Sequence, residues 1–215
     1  MRHSLTFAGT TMTAGCVAVL VAAFLPALYP VWTARGTDAI TLIGQHRGTW
    51  QVANWLFALG AGLTLTGLAA FTGLVDRRPG GSALPGTALV LMAVASALWI
   101  ASLTFRLTVT ARTADAVSGG GAVPEWYEPV SSWVGALWTA AALLGAAAMV
   151  GYGITLVGGA LLPGWTGWFA ISIGAIMLGL FAVTRDVPPV LLYLAPTAIG
   201  ITALVRAIGS HPLPG

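Results

Sequence analysis

Apolar residues along this chain fall into six long runs separated by polar stretches. Each run holds about 20 residues or more, which is the length an α-helix needs to cross the hydrocarbon core of a bilayer. We therefore predict an all-α, polytopic membrane protein whose six transmembrane helices form one bundle, in a single membrane domain over residues 1–215. The predicted helices cover residues 7–28, 50–75, 84–107, 130–157, 164–184 and 187–205.

The amino-acid composition agrees with a membrane protein. The chain is 57% hydrophobic and 7% charged, whereas soluble domains carry about 25% charged residues. Its formal net charge of +3 comes from arginines scattered along the chain, which is not the basic patch that binds nucleic acid. Its single cysteine, Cys16, lies in the first apolar run and excludes an intrachain disulfide. Membrane lipid is therefore the expected partner, and the oligomeric state stays open.

The predicted connections between the helices are unequal. The first (29–49) and the third (108–129) are long and polar, whereas the second and the fourth are short turns. With six spans, the first, third and fifth connections lie on one side of the membrane, which we name the loop-rich face. Functional residues concentrate on long loops above a rigid scaffold, so we expect the site at this face.

The charges near the membrane bear on orientation. Five arginines belong to the loop-rich face and four to the opposite face, so the positive-inside rule does not decide. The net charge, zero on the loop-rich face and +3 on the other, and the compact turn Asp76-Arg77-Arg78 both favour cytoplasmic termini. We expect a protein of the cell membrane with both termini in the cytoplasm.

A polar loop turns into an apolar helix at residues 44–55. Arg47, Gln51 and Asn54 recur at i, i+4 and i+7, so one helical face carries all three. Polar groups at membrane depth are costly unless they face protein or a water-filled cavity. We therefore predict that this stripe faces the bundle interior and that its residues bind a ligand together with Arg106 of the third helix.

Arg106 is the deepest charge in any predicted span. It either snorkels to the lipid headgroups or faces the bundle, where a buried charge requires a partner. On the second interpretation we predict that Glu125, Glu128 or Asp186 lies within ion-pair distance of Arg106 or Arg47. That pair would form the polar floor of a pocket otherwise lined by Trp and Leu.

Four residues of the loop-rich face are candidates for catalysis: Glu125, Glu128, Asp186 and His46. Carboxylates in an apolar setting can act as general acids, and a histidine can carry a proton near neutral pH. Each has a structural alternative. The two glutamates are solvated loop acids, Glu128 favouring the start of a helix; Asp186 pairs with Arg185 in a tight turn; and His46 orients its helix at headgroup level.

Metal and haem sites are not supported by the histidines. Only His46 accompanies the acids of the loop-rich face, while His3 and His211 lie near the two ends of the chain on the opposite face. The sequence also lacks a Ser-His-Asp order, an HExxH motif and a phosphate-binding glycine loop. No metal and no cofactor is therefore predicted.

A resemblance rests on three stretches. The first span ends in Leu25-Pro26-Ala27-Leu28-Tyr29-Pro30, His46 and Trp50 open the second, and residues 161–168 (LLPGWTGW) precede the fifth. In this the chain resembles a domain-of-unknown-function family of small bacterial multi-pass proteins, although the turn at residues 163–165 lacks the expected basic residue. The resemblance implies a fold and no chemistry. The lysine-free, Ala/Gly/Arg-rich composition also resembles that of actinobacterial proteins.

Three functions fit these features. We favour a pocket for a lipid or a small apolar ligand on the face of the 29–49 and 108–129 loops. The alternative is a membrane-embedded enzyme that acts on an isoprenoid or lipid by acid catalysis, by analogy with membrane terpene cyclases. A small transporter or channel subunit is the third. Inward, mutually close carboxylates favour the enzyme, acids pointing to water favour the binder, and a continuous polar path favours the transporter.

Overall fold

A computed structural model describes residues 2–75, 83–159 and 161–209 of the chain, and these residues form helices and no strands. Six helical stretches of the described chain are long and apolar enough to cross a bilayer, which confirms the predicted all-α, multi-pass architecture. The helices are α1 (Arg2–Ala23), α2 (Tyr29–Thr33), α3 (Gly36–Gln45), α4 (Arg47–Val75), α5 (Leu84–Phe105), α6 (Ala111–Ser118), α7 (Tyr127–Val157), α8 (Gly164–Thr184) and α9 (Leu191–Gly209).

The spans pack as a ring in which each contacts the next along the chain and α9 returns to α1. The contacts between α1 and α4, between α5 and α7 and between α7 and α8 are extensive, whereas α4 with α5 and α8 with α9 share the smallest contacts of the ring. Two three-helix groups result: α9, α1 and α4 in one, and α5, α7 and α8 in the other. A hydrogen bond of 2.8 Å between the hydroxyls of Thr72 and Tyr152 joins them across the core.

Glycines set the closest approaches between helices. A Cβ added at Gly167 in α8 would lie 2.6 Å from the carbonyl oxygen of Gly153 in α7, and one at Gly9 in α1 would lie 2.6 Å from the carbonyl oxygen of Gly200 in α9. Lipid supplies no hydrophobic force between helices, so their association depends on such close van der Waals contact. The approach of Gly9 to Gly200 also brings the start of α1 and the last turns of α9 to the same end of the bundle.

Prolines move two of the predicted helix ends. The first span ends at Ala23 rather than at residue 28, because a 3₁₀ turn over Pro26–Leu28 follows it. The last span begins at Leu191 rather than at residue 187, because Pro188 and Pro189 precede it. The charged turn Asp76-Arg77-Arg78, which was used for orientation, and His211 both lie outside the described residues.

The third connection differs more from its predicted structure than any other described connection. A π-helical turn over Arg106–Thr110 extends α5 and leads directly into α6, so helix continues to Ser118 instead of ending at residue 107. Neither proline nor glycine interrupts residues 100–117, and the helix therefore persists although the hydrophobicity falls. The helix ends where three glycines, at residues 119–121, begin.

The first connection is also largely helical, and it packs on this extension. The amphipathic α3 buries Ile40 and Ile43 and lies against α6. A Cβ added at Gly44 would lie 2.9 Å from the carbonyl oxygen of Ala114, so the two helices touch through their backbones there. The two long connections of the loop-rich face therefore form one packed layer above the bundle.

We expect Gly167→Ala to destabilise the protein by about 1–3 kcal/mol, the usual cost of overpacking, because its Cβ would meet backbone atoms of α7. Gly179→Ala in the same helix is the matched control, since a Cβ there meets no atom within 4 Å. Thermal unfolding in detergent measures both variants. Equal melting temperatures would contradict the assignment of Gly167 to a close helix contact.

Candidate functional site

A cavity of about 1030 Å³ occupies the loop-rich end of the bundle. Its walls come from the α2–α3 segment, from α4, α5 and α7, and from the segment between α8 and α9. The cavity thus lies where the two three-helix groups meet. Six aromatic residues line it and are named here the aromatic wall: Trp32, Trp50, Phe57, Phe105, Tyr127 and Trp138.

The rings of this wall are in contact across several helices. The ring centroid of Trp32 lies 5.7 Å from that of Trp50 and 6.4 Å from that of Phe57. Trp99 of α5 is fully buried behind them, with its centroid 5.8 Å from Phe57 and 4.4 Å from Trp138. These separations are typical of favourable aromatic pairs. The rings therefore form a connected series from α2 to α7, in which the buried Trp99 links Phe57 to Trp138.

The π turn at Arg106–Thr110 is held by two residues of the aromatic wall. The indole Nε1 of Trp50 donates a hydrogen bond of 3.1 Å to the carbonyl oxygen of Arg106. The hydroxyl of Tyr127 donates one of 3.0 Å to Oγ1 of Thr110. Single π turns within helices are frequent at functional sites. Here the turn fixes the backbone from which the Arg106 side chain enters the cavity wall.

The Arg106 side chain faces the bundle. Its guanidinium carbon lies 5.2 Å from the ring centroid of Trp99, a cation–π contact, and the residue lines the cavity. The only ion pair among the described residues joins two other side chains, so Arg106 has no carboxylate in direct contact. The cavity wall thus carries a cation that no carboxylate of the described chain neutralises at contact distance.

The predicted pairing of Arg106 or Arg47 with an acid of the loops is wrong for all three acids. Glu128 and Asp186 line the cavity but are exposed, and Glu125 is exposed and does not line it. Oδ1 of Asp186 accepts a hydrogen bond of 2.8 Å from the Val187 backbone N–H, so this carboxylate is bonded to the backbone of its own segment. The three carboxylates do not converge on Arg106, and their catalytic role stays a prediction.

Arg47 pairs instead with an acid that the sequence interpretation treated as part of a loop. Its Nε lies 2.9 Å from Oδ1 of Asp115 in α6, and the two side chains are 28% and 53% exposed. The continuation of the third span to Ser118 carries Asp115 to the start of α4, which is why the predicted pairing failed. Arg47 does not line the cavity. The pair joins the start of α4 to the packed layer above the bundle.

The predicted polar stripe of α4 is only partly inside the bundle. Asn54 is fully buried, as predicted, and its Nδ2 donates a hydrogen bond of 2.7 Å to the Trp50 carbonyl oxygen. Gln51 is exposed, so the prediction was wrong there. The buried face is centred on Trp50, Asn54 and Phe57, and Gln51 lies about 100° around the helix from Trp50. Neither Gln51 nor Asn54 lines the cavity.

His46 follows α3 and lies outside the cavity wall. Its backbone N–H is shared between the carbonyl oxygens of Leu42 and Ile43, at 3.1 and 3.2 Å. Across the described ranges, no three His, Cys, Asp or Glu side chains are close enough to hold a metal ion. His46 therefore lies at the junction between α3 and α4, and its catalytic role stays a prediction.

The sequence analysis predicted a pocket lined by Trp and Leu but did not identify the residues of the aromatic wall, and no Leu lines the cavity among the described residues. A usable signal was present in the third span, where Trp99, Ser102 and Arg106 recur at i, i+3 and i+7 and therefore share a helical face. In α4, Trp50 and Phe57 are two turns apart on one face. Aromatic residues at such spacings are common in any membrane helix, so only the packing distinguishes these from an ordinary core.

Breaking the ion pair of α4 and α6 should have a small and measurable effect on stability. We expect a double-mutant cycle of Arg47→Gln and Asp115→Asn to give a coupling energy of about 0.2–1 kcal/mol, as for other exposed or partly exposed pairs. The coupling should shrink at high salt because exposed charges are screened. A coupling of zero, or one that salt does not change, would contradict the pairing in solution.

The chain has no match among protein-family models, among curated proteins or among solved structures. Its expected resemblance to a family of small bacterial multi-pass proteins therefore stays a prediction. The cavity combines aromatic rings with two guanidinium groups in its wall, of which Arg106 is half-buried and Arg35 is exposed.

Proposed function

We propose that this protein binds the apolar body of a lipid-like molecule in the cavity at its loop-rich face. The observation that supports this proposal is a cavity of about 1030 Å³ whose lining includes the six rings of the aromatic wall. Ligand pockets commonly measure about 300–1,000 Å³ and are lined mostly by apolar and aromatic side chains. The volume is at the upper end of that range, which suits a long-chain molecule better than a small polar metabolite.

The positions of the acids favour binding over acid catalysis. A general acid must lie within hydrogen-bond reach of the reacting group. Glu128 and Asp186 are exposed residues of the cavity wall, and Glu125 stands outside it. They do not form the inward, mutually close set that catalysis in an apolar cavity requires. The enzyme that acts on an isoprenoid therefore remains the second candidate.

The packing beneath the cavity argues against a transport path. The side chains of Phe71, Trp99 and Tyr152 are fully buried in the bundle. A transported polar solute or ion needs a continuous polar route, which these large aromatic groups interrupt. The burial of these aromatic side chains supports a binding protein over a transporter.

The orientation belongs to the same proposal. We place the protein in the cell membrane with both termini in the cytoplasm, so that the cavity lies at the outer side of the bilayer. The support is the net charge of the sequence, zero for the loop-rich face and +3 for the opposite face. In this orientation the ligand is a component of the outer leaflet.

We expect Gly135→Leu to weaken binding of an apolar ligand at least about tenfold, equivalent to about 1.4 kcal/mol, because it narrows the cavity. Gly135 lines the cavity, and a Cβ there meets no atom within 4 Å, so the new side chain has room without disturbing the fold. The probe is a long-chain alcohol carrying a photoreactive diazirine, with the unlabelled alcohol as competitor.

The matched control is Gly62→Leu, an equal change in α4 at an exposed glycine whose Cβ also meets no atom and which does not line the cavity. Mass spectrometry of the purified protein in detergent should place competable cross-links on the cavity wall of the parent and of Gly62→Leu, with far fewer in Gly135→Leu. Cross-links confined to lipid-facing surfaces, or not reduced by competitor, would overturn the proposed function.

A further inference from the structure

The charged residues that line the cavity differ in their exposure to solvent. Arg106 is half-buried and lies over Trp99, whereas Arg35, Glu128 and Asp186 are exposed. An inserted ligand group would therefore meet Arg106 as the one charge of the wall that is withdrawn from solvent. The exposed charges around it comprise one cation and two carboxylates.

The position of Arg106 is built by the fold and does not depend on a flexible loop. The hydrogen bond from Trp50 fixes its carbonyl oxygen, the bond between Tyr127 and Thr110 fixes the far end of the π turn, and Trp99 supports the guanidinium. Ser102, one helical turn earlier, lines the same wall and adds a hydroxyl. This is a pre-organised donor set on a rigid element, as anion recognition requires.

The guanidinium has capacity for a ligand. It carries five N–H donors in a planar fork that matches a carboxylate or a phosphate. Among the described residues, no carboxylate forms an ion pair with it. A charge in an apolar wall is costly without a counter-charge. An anionic group of a ligand would supply that counter-charge.

We infer that the bound molecule is an amphiphile with a single negative charge, a carboxylate or a phosphodiester, which Arg106 and Ser102 hold while the chain packs on the aromatic wall. We expect one negative charge rather than two because, among the described residues of the wall, Arg106 is the one half-buried cation, while the exposed Glu128 and Asp186 outnumber the exposed Arg35. The inference rests on the proposed binding function and adds the headgroup.

The test compares three probes of equal chain length that each carry a diazirine: a fatty acid, the corresponding alcohol and the alkyl diphosphate. With the parent protein in detergent, the acid should bind at least about tenfold more tightly than the alcohol, the value of one good charge-assisted contact. It should also bind more tightly than the diphosphate. A phosphodiester probe with one negative charge and no cation, an alkyl phosphoglycerol, then distinguishes a carboxylate ligand from a phospholipid-like one.

The variant that tests the contact is Arg106→Gln, which keeps polarity and removes the charge. It should lower acid affinity at least about tenfold and change alcohol affinity less than about twofold. Arg106→Lys should restore part of the preference for the acid, because the charge returns without the planar fork. The control is Arg112→Gln, an exposed arginine of α6 outside the cavity wall, which should leave both affinities unchanged.

Each result has a defined meaning. If no probe binds the parent protein, the proposed function fails. If the alcohol binds as tightly as the acid, or if the diphosphate binds most tightly, the pocket stands and the single-charge headgroup is overturned. Equal losses for acid and alcohol in Arg106→Gln overturn the contact as well. If that variant does not fold, the ranking of the three probes on the parent protein still decides the inference.

Discussion

The hydrogen bond from the Trp50 indole to the Arg106 carbonyl oxygen is the contact on which the site depends. A π turn shifts the backbone pairing of a helix by one residue, and in a bilayer any carbonyl that loses its partner needs another donor. Trp50 supplies one from α4, across the smaller of the contacts that this helix makes in the ring. The same tryptophan contributes its ring to the cavity wall. One side chain thus joins the two halves of the bundle and shapes the space between them.

The distribution of packing explains where the cavity lies. Within each three-helix group, glycines let the backbones approach closely, as at Gly153 with Gly167 and at Gly9 with Gly200. Between the groups, α4 and α5 meet over a smaller area, and large aromatic side chains fill the seam. Small residues close a helix interface, whereas large rings hold helices apart. At the loop-rich end the aromatic rings do not fill the space between the two groups, and the cavity lies there.

The spans were predictable because lipid imposes a strict requirement. A helix that crosses a bilayer needs a long apolar run, and that pattern is visible in any single sequence. The ends were less predictable where proline acts locally, as at Pro26 and Pro188, and where a helix leaves the membrane without stopping, as at Arg106–Thr110. Hydrophobicity reports the membrane boundary, and the helix end is set by glycine or proline.

The site was less predictable than the fold, for a physical reason. The positions of polar residues in a sequence indicate which side chains share a helical face, but not which side chains come into contact. A shift of one residue turns a helical side chain by about 100°. Gln51 and Asn54 illustrate this difference, one exposed and one fully buried. Asp115 could be assigned to Arg47 only after the third span was known to continue into α6.

The closure of the ring by α9 onto α1 has a consequence for biogenesis. Helices enter the membrane in chain order, so α1 and α4 can pair early, while the surface of α1 around Gly9 and Met12 must wait for the last helix. Until α9 arrives, that surface faces lipid or the insertion machinery with its glycine backbone uncovered. The assembly is therefore completed by joining its first and last inserted segments, and a chain stalled after α8 would be an open ring with an unfilled groove.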